Sequence, residues 1–264
     1  MSSIRLIVSD LDGTLLSPDH KLAPEVASSI RTFVRKGGYF TIATGRPLLT
    51  ARRVIEQLGI EIPVILCNGA VLAARGRILE QNGYEASLTA ELLVAAHEAG
   101  LNVLQFRDER IGVFGRTPAI VTFEHKEQVA CTLLSSADEG WRQGELDKVI
   151  LLGDIRLSTQ LWKRWEPLLG DRIAALQSES DYLELIPARI DKGTALRKVA
   201  YVLGVELADV LAIGNQLNDL AMLKTAGVGI AVANSPDELK AAADYVTRSP
   251  YGEGVVEAIG RFGQ

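Results

Sequence analysis

Short apolar runs alternate with amphipathic stretches from the start of the chain to Gly69. Residues 4–9 are almost continuously apolar, the pattern of a strand covered on both faces. Pro24 then opens a segment with Val26, Ile30, Phe33 and Val34 at helical spacing, which Gly37-Gly38 stops. Residues 39–43 predict a second strand, 48–58 a second helix, and 63–66 a third strand ending at Asn68-Gly69. Strands that alternate with helices imply right-handed crossovers and a parallel sheet.

The pattern then changes. Two extended runs around Arg75-Gly76 predict a hairpin over residues 71–80. A helix follows at 89–99, and strands at 103–106 and 111–114 bracket a charged turn. Next come a strand at 149–152, a helix at 158–169, and strands at 173–177 and 182–186 that read as an antiparallel pair. From Lys192 the alternation resumes, with helices at 192–203, 217–224, 236–243 and 254–262 around strands at 210–213 and 228–232. The fold class expected is α/β. A Rossmann-like parallel-sheet core is assigned to residues 1–83 and 187–264, and an α+β domain is inserted at 84–186.

Composition narrows the function. The 264 residues are 47% hydrophobic and 23% charged, ordinary for a soluble globular protein. The net charge of −5 leaves no basic face for nucleic acid. Cys67 and Cys131 stand far apart with no C-x-x-C spacing, against a disulfide framework or structural zinc site and in keeping with a reducing compartment. No signal peptide is visible, and no apolar stretch approaches the roughly 20 residues of a membrane span. A cytoplasmic protein with no membrane partner is the expectation. The first strand lacks the G-x-G-x-x-G that a dinucleotide site needs behind it.

Four polar clusters follow predicted element ends. Asp10 and Asp12 leave the first strand on the same side, with Leu11 turned away between them and Gly13 allowing a sharp turn. Thr44-Gly45-Arg46 follows the second strand and offers a hydroxyl and amides beside a helix start. Lys192 opens a helix, and Asn215, Asn218 and Asp219 follow the strand at 210–213. Singly, each has a plain reading as a turn, a helix cap or a solvated charge. In a parallel sheet all four fall on the carboxyl edge, where α/β folds bind ligands. Hard oxygens suit Mg²⁺, and a lysine with an amide-rich turn suits a phosphate dianion.

In order and spacing, DLDGTLL at 10–16, TGR at 44–46, CNGA at 67–70, DKGTAL at 191–196, GNQLNDLAML at 214–223 and GIAVANSPDELKAAADYVT at 229–247 are similar to the haloacid dehalogenase superfamily, and within it to the Cof-type, subclass IIB, phosphatases. The resemblance implies a Mg²⁺-dependent phosphatase for small phosphorylated metabolites, sugar phosphates first. Asp10 would be the nucleophile and Asp12 the general acid and base. Leu11, Thr44, Gly45, Arg46, Lys192 and Asn218 would bind the phosphoryl group. The metal would take oxygens from Asp10, from the Asp12 carbonyl and from Asn215 or Asp219. The insert would be a cap, with Arg107, Asp108, Glu184 and Arg189 as candidates for specificity, and the chain a monomer or homodimer. The family pattern has Asp where this chain has Asn215, which keeps a carbonyl oxygen but loses the charge. Two alternatives stay open: a phosphomutase of the same superfamily, and a weakly active or non-catalytic ligand-binding member.

Overall fold

The computed structural model describes residues 3–107, 109–135 and 139–263, so Asp108 lies outside the described residues. The chain forms two compact units. One comprises Met1–Gly45, Ala51–Glu80 and Asp191–Gln264, and the other Arg46–Thr50 with Gln81–Ile190. The segment Arg46–Thr50 joins the second unit because Leu49 packs on an apolar cluster there that includes Leu104, Phe106 and Phe123. None of the helices among the described residues is long and apolar enough to cross a membrane.

The first unit is built on a parallel sheet. Its strands run in the spatial order Tyr245–Val246, Val228–Ala231, Val210–Gly214, Leu6–Ser9 and Tyr39–Ile42. Register is set by Leu6 opposite Val210 on one side and Tyr39 on the other, with Ser9 opposite Ile213 and Ile42. The first strand sits inside the sheet. From it the chain moves outward to Tyr39–Ile42, then returns on the other flank at Val210–Gly214. Strand order therefore reverses between Leu6–Ser9 and Val210–Gly214, the kind of switch point at whose carboxyl ends open α/β sheets bind ligands. Asp10 and Asn215 are the next residues of those two strands.

Each of the four residues of Leu6–Ser9 is buried, as the continuous apolar run predicts. The helix Lys192–Leu203 covers one face with Ala195, Leu196 and Val199, which pack with Leu6, Val8, Val210 and Ala212. Fully burying a side chain such as Leu196 or Val199 contributes roughly 1.5–3 kcal/mol. The start of this helix is fixed by a capping box. The Thr194 amide donates to Asp191 Oδ1 at 2.7 Å, and the Asp191 amide donates to Thr194 Oγ1 at 3.1 Å. Such a cap is worth about 1 kcal/mol, and here it sets Lys192 as the first helical residue.

The second unit carries a six-stranded sheet in the order Ile173–Glu179, Tyr182–Pro187, Lys148–Leu152, Asn102–Arg107, Arg110–Val113 and Thr132–Leu133. All pairs are antiparallel except the last. Trp141 and Trp162 pack in its apolar core with Leu92, Leu93, Val149 and Leu185. The helix Pro118–Glu127 has no counterpart among the predicted elements. It starts at a Thr-Pro pair, where the Ile120 amide donates to Thr117 Oγ1 at 3.3 Å.

Candidate functional site

Asp10 is fixed before its side chain is considered. Its amide donates to the Ile213 carbonyl at 2.8 Å, so the sheet ladder runs into the first residue of the turn. The main chain then folds back, with the Leu15 and Leu16 amides donating to the Leu11 carbonyl at 3.0 and 2.9 Å. Leu11 is fully buried, so its side chain packs inside the unit. Asn234 clamps the turn from outside, its Nδ2 donating to the Gly13 carbonyl at 2.9 Å while its Oδ1 accepts from the Tyr251 amide at 3.0 Å.

Lys192 is completely buried, an expensive place for an ammonium unless it is paired. Its Nζ donates to Asp10 Oδ1 at 2.6 Å and to Asp219 Oδ1 at 2.7 Å. One cation thus serves two carboxylates that lie 182 and 27 residues away in sequence. Burial works against the Lys192 charge, but Asp10 and Asp219 outweigh it and push its pKa up. Burial, and after it the negative charge of Asp219, raise the Asp10 carboxyl to about 7, despite the opposing pull of Lys192. A further positive charge beside Asp10 would restore its carboxylate form.

Asp219 was expected to offer the metal an oxygen. Both of its oxygens are engaged elsewhere: Oδ1 takes Lys192, and Oδ2 accepts from the Asn215 and Gln216 amides at 2.8 and 3.0 Å. Its work is to orient the lysine and to shape the loop after the strand Val210–Gly214. That loop bends tightly, since a Cβ on Gly214 would stand 2.4 Å from the Asp219 Cβ.

Arg46 also departs from expectation. It lies in the second unit, where its guanidinium is 3.6 Å from Glu127 and donates to the Thr50 carbonyl at 3.4 Å. Thr44 and Gly45 adjoin Asn68. The Thr44 amide donates to Ile65, and its carbonyl accepts from Asn68 at 3.0 Å. Asn218 Nδ2 donates to Asn68 Oδ1 at 3.1 Å, and a Cβ on Gly45 would come within 3.2 Å of the Asn68 amide. Asn68 therefore links the second and fourth clusters.

Four residues that matter here had no role assigned from the sequence: Thr14, His20, Asn68 and Asn234. His20 Nδ1 lies 3.1 Å from Asp12 Oδ1. Asn68 holds a left-handed φ of 56°, and Gly69 a φ of 108°. The second is a conformation that L side chains rarely adopt, and a Cβ there would lie 2.4 Å from the Asp191 carbonyl oxygen. The Asn-Gly pair marks a turn in the sequence, but no spacing rule shows that this turn abuts the start of the Lys192 helix.

Asn215 reaches across the switch point to the Asp10–Asp12 turn. With its nitrogen facing that turn, the amide lies 3.0 Å from Asp10 Oδ2, 3.1 Å from the Asp12 carbonyl oxygen and 2.9 Å from Thr14 Oγ1. With its oxygen there instead, lone pairs would oppose lone pairs at the first two, and only the Thr14 hydroxyl could donate. The spacing itself fits a metal. Oxygens about 2.1 Å from an octahedral Mg²⁺ are roughly 3.0 Å from their neighbours. Asp10 Oδ2, the Asp12 carbonyl and a carbonyl oxygen of Asn215 could therefore be three ligands of one ion. Among the described residues no group of three or more His, Cys, Asp or Glu is placed to hold a metal, so such a site depends on the main-chain and amide oxygens.

Comparison with known proteins shows the family. Residues 7–259 match the family of haloacid dehalogenase-like hydrolases. An HMP-PP phosphatase of Serratia proteamaculans is 30% identical over 89% of this chain and 86% of its own length. A 5-amino-6-(5-phospho-D-ribitylamino)uracil phosphatase of Bacillus subtilis is 30% identical over 97% of this chain and 94% of its own. Among solved structures, a haloacid dehalogenase-like hydrolase of Bacteroides thetaiotaomicron superposes with a TM-score of 0.87 at 26% identity, covering 98% of this chain and 99% of that one.

Proposed function

Because this chain belongs to the haloacid dehalogenase-like hydrolases, we propose that it hydrolyses small phosphorylated metabolites, sugar phosphates first, through a phosphoryl group carried on Asp10. One observation carries the reading: a fully buried ammonium, Lys192, bound to Asp10 at the carboxyl edge of the sheet with Asp12 two residues on. A carboxylate so placed is aligned for attack, and the lysine offsets negative charge as a phosphoryl group arrives. Relatives that act on phosphorylated metabolites by name support the substrate class.

In the first step an Asp10 oxygen bonds to phosphorus as the phosphorus–oxygen bond to the substrate breaks. The departing oxygen keeps the electron pair and takes a proton from Asp12. In the second step a water gives its proton to the Asp12 carboxylate and its oxygen bonds to phosphorus. The bond to Asp10 breaks, inorganic phosphate leaves, and Asp10 and Asp12 return to their starting states. Lys192, the Thr44 hydroxyl and the main-chain amides of Leu11 and Gly45 hold the phosphoryl oxygens, and Asn218, bonded to Asn68, lines the same turn. His20 positions Asp12. Asp10, the Asp12 carbonyl and Asn215 would hold Mg²⁺, which supplies positive charge against the carboxylate and the phosphoryl oxygens. The unit Gln81–Ile190 serves as a cap and sets substrate choice.

The test is phosphate release across a panel of phosphorylated metabolites with Mg²⁺ present. Wild type should turn over several of them, and Asp10→Asn none. Full activity in Asp10→Asn would remove the nucleophile from the scheme.

A further inference from the structure

Asp10 Oδ2 and the Asp12 carbonyl are two acceptors aimed at one place, and the Asn215 amide stands there. Two oxygens facing each other with nothing positive between them would repel, and Asp10 is already crowded by Asp219. The amide nitrogen resolves this with the protein's own atoms. With the nitrogen on that side, its two hydrogens can reach the oxygens 3.0 and 3.1 Å away; with the oxygen there instead, the Thr14 hydroxyl 2.9 Å away donates to it. The amide does not leave that position easily. Gly13, with φ of 78°, comes so close that a Cβ there would fall 2.4 Å from the Asn215 amide. The Asn215 main chain is pinned by its amide bond to Asp219 Oδ2.

We propose that Asn215 is a gate on the metal position. In the metal-free protein its NH₂ group bridges Asp10 Oδ2 and the Asp12 carbonyl in place of a cation, and a divalent ion enters only when the amide turns over to present its oxygen. The inference rests on the metal assignment made above and adds a mechanism to it. Rotation about the last side-chain bond exchanges nitrogen for oxygen with little other movement, and the Thr14 hydroxyl then donates to whichever oxygen is offered. The entering ion gives up two amide hydrogen bonds. Each is worth net roughly a factor of five, so together they weaken ion binding about twentyfold. The metal-free site is in return neutralised and ordered. An aspartate at this position would reverse both properties, adding a third carboxylate beside Asp10 and Asp219 with only Lys192 to balance them.

Mg²⁺ titration by calorimetry, with Mn²⁺ binding followed by electron paramagnetic resonance, compares wild type with Asn215→Asp. The variant should bind either ion at least about twentyfold more tightly. In EDTA it should melt below wild type, and Mg²⁺ should raise its melting temperature far more. Equal affinities, or equal melting temperatures in EDTA, would overturn the gate and leave the catalytic scheme intact. If neither protein binds the ions, the gate and the metal assignment fall together, while the Asp10→Asn assay still judges the nucleophile. A measurement on wild type alone covers a variant that will not fold without metal. The Asn215 side-chain NH₂ protons should be slow to exchange in EDTA and should shift and lose protection as Mg²⁺ saturates the site. NH₂ signals unchanged by saturating Mg²⁺ would overturn the proposal.

Discussion

Replacing Lys192 by Met keeps the length of the side chain and removes its charge, so little cavity is created and electrostatics dominates the outcome. The Nζ atom lies 2.6 Å from Asp10 and 2.7 Å from Asp219, in a position with no solvent exposure. At an effective dielectric of about 20, two unit charges at that separation attract by roughly 6 kcal/mol per pair, much of it offset by the cost of drying the charges. Removing one partner of a buried pair costs about 3–5 kcal/mol, because what remains is an uncompensated charge. Here two carboxylates are left. Lys192→Met should therefore lose about 3–5 kcal/mol in urea unfolding at pH 8 in EDTA, a large share of the roughly 5–15 kcal/mol of a typical domain. Without the lysine, burial and the Asp219 charge act unopposed on Asp10 and raise its folded-state pKa further above the unfolded value. That penalty is fully present at high pH and is relieved as protons bind, so the deficit should shrink on moving from pH 8 to pH 5. Phosphatase turnover should be lost at both. A loss below about 1 kcal/mol at pH 8, or a deficit that grows toward pH 5, would refute the claim that this lysine neutralises the two acids.

Asp10→Asn reports on the raised Asp10 pKa without any substrate. The folded value is about 7 against an ordinary 3.8, so the ionised form lowers stability above pH 7 and the cost fades as pH falls toward 4. In EDTA, urea melts of Asp10→Asn should gain on wild type between pH 5 and pH 8 by about 3 kcal/mol, from the two units between pH 5 and the folded pKa of about 7 at 1.36 kcal/mol each. No pH-dependent gain would mean that Lys192 fully compensates the carboxylate. Gly69→Ala forces a Cβ to within 2.4 Å of the Asp191 carbonyl at a φ of 108°, and calorimetric melting should register a loss of at least about 2 kcal/mol. An unchanged melting temperature would show that the turn gives way. His20→Ala removes a half-exposed contact to Asp12, so stability should stay within about 0.5 kcal/mol while kcat drops several-fold. A changed KM at constant kcat would assign His20 to substrate binding instead.

Strands were legible where burial is two-sided. The run at 4–9 appears as Leu6–Ser9, and the hairpin expected at 173–186 as Ile173–Glu179 with Tyr182–Pro187. The helix Pro118–Glu127 was not, because it buries only Ile120 and Phe123 and carries β-branched Ile120, Val121 and Thr122 in sequence. The helix expected at 217–224 is two pieces, a 3₁₀ turn Leu217–Asp219 leading into Leu220–Thr225. Asp219 turns its carboxylate back onto the Asn215 and Gln216 amides, and that tertiary demand tightens the first turn. The meeting of Asp10 and Lys192 was readable because motif order and sheet topology converge on one edge. Thr14, Asn68 and Asn234 act on partners 201, 150 and 221 residues away, a separation over which no local pattern carries information. Arg46 shows what a motif letter leaves out: its guanidinium lies 3.6 Å from Glu127, a neighbour that no local spacing announces.

The central claim is that the phosphoryl group passes through Asp10. Asp12→Asn keeps the nucleophile and removes the group that activates water, so the second step should stall. Rapid quench of that variant with a phosphorylated substrate, followed by peptide mass analysis, should find one phosphoryl group on the peptide containing Asp10. A phosphoryl group on any other residue, or phosphate released by the variant with none trapped on the protein, would contradict the account.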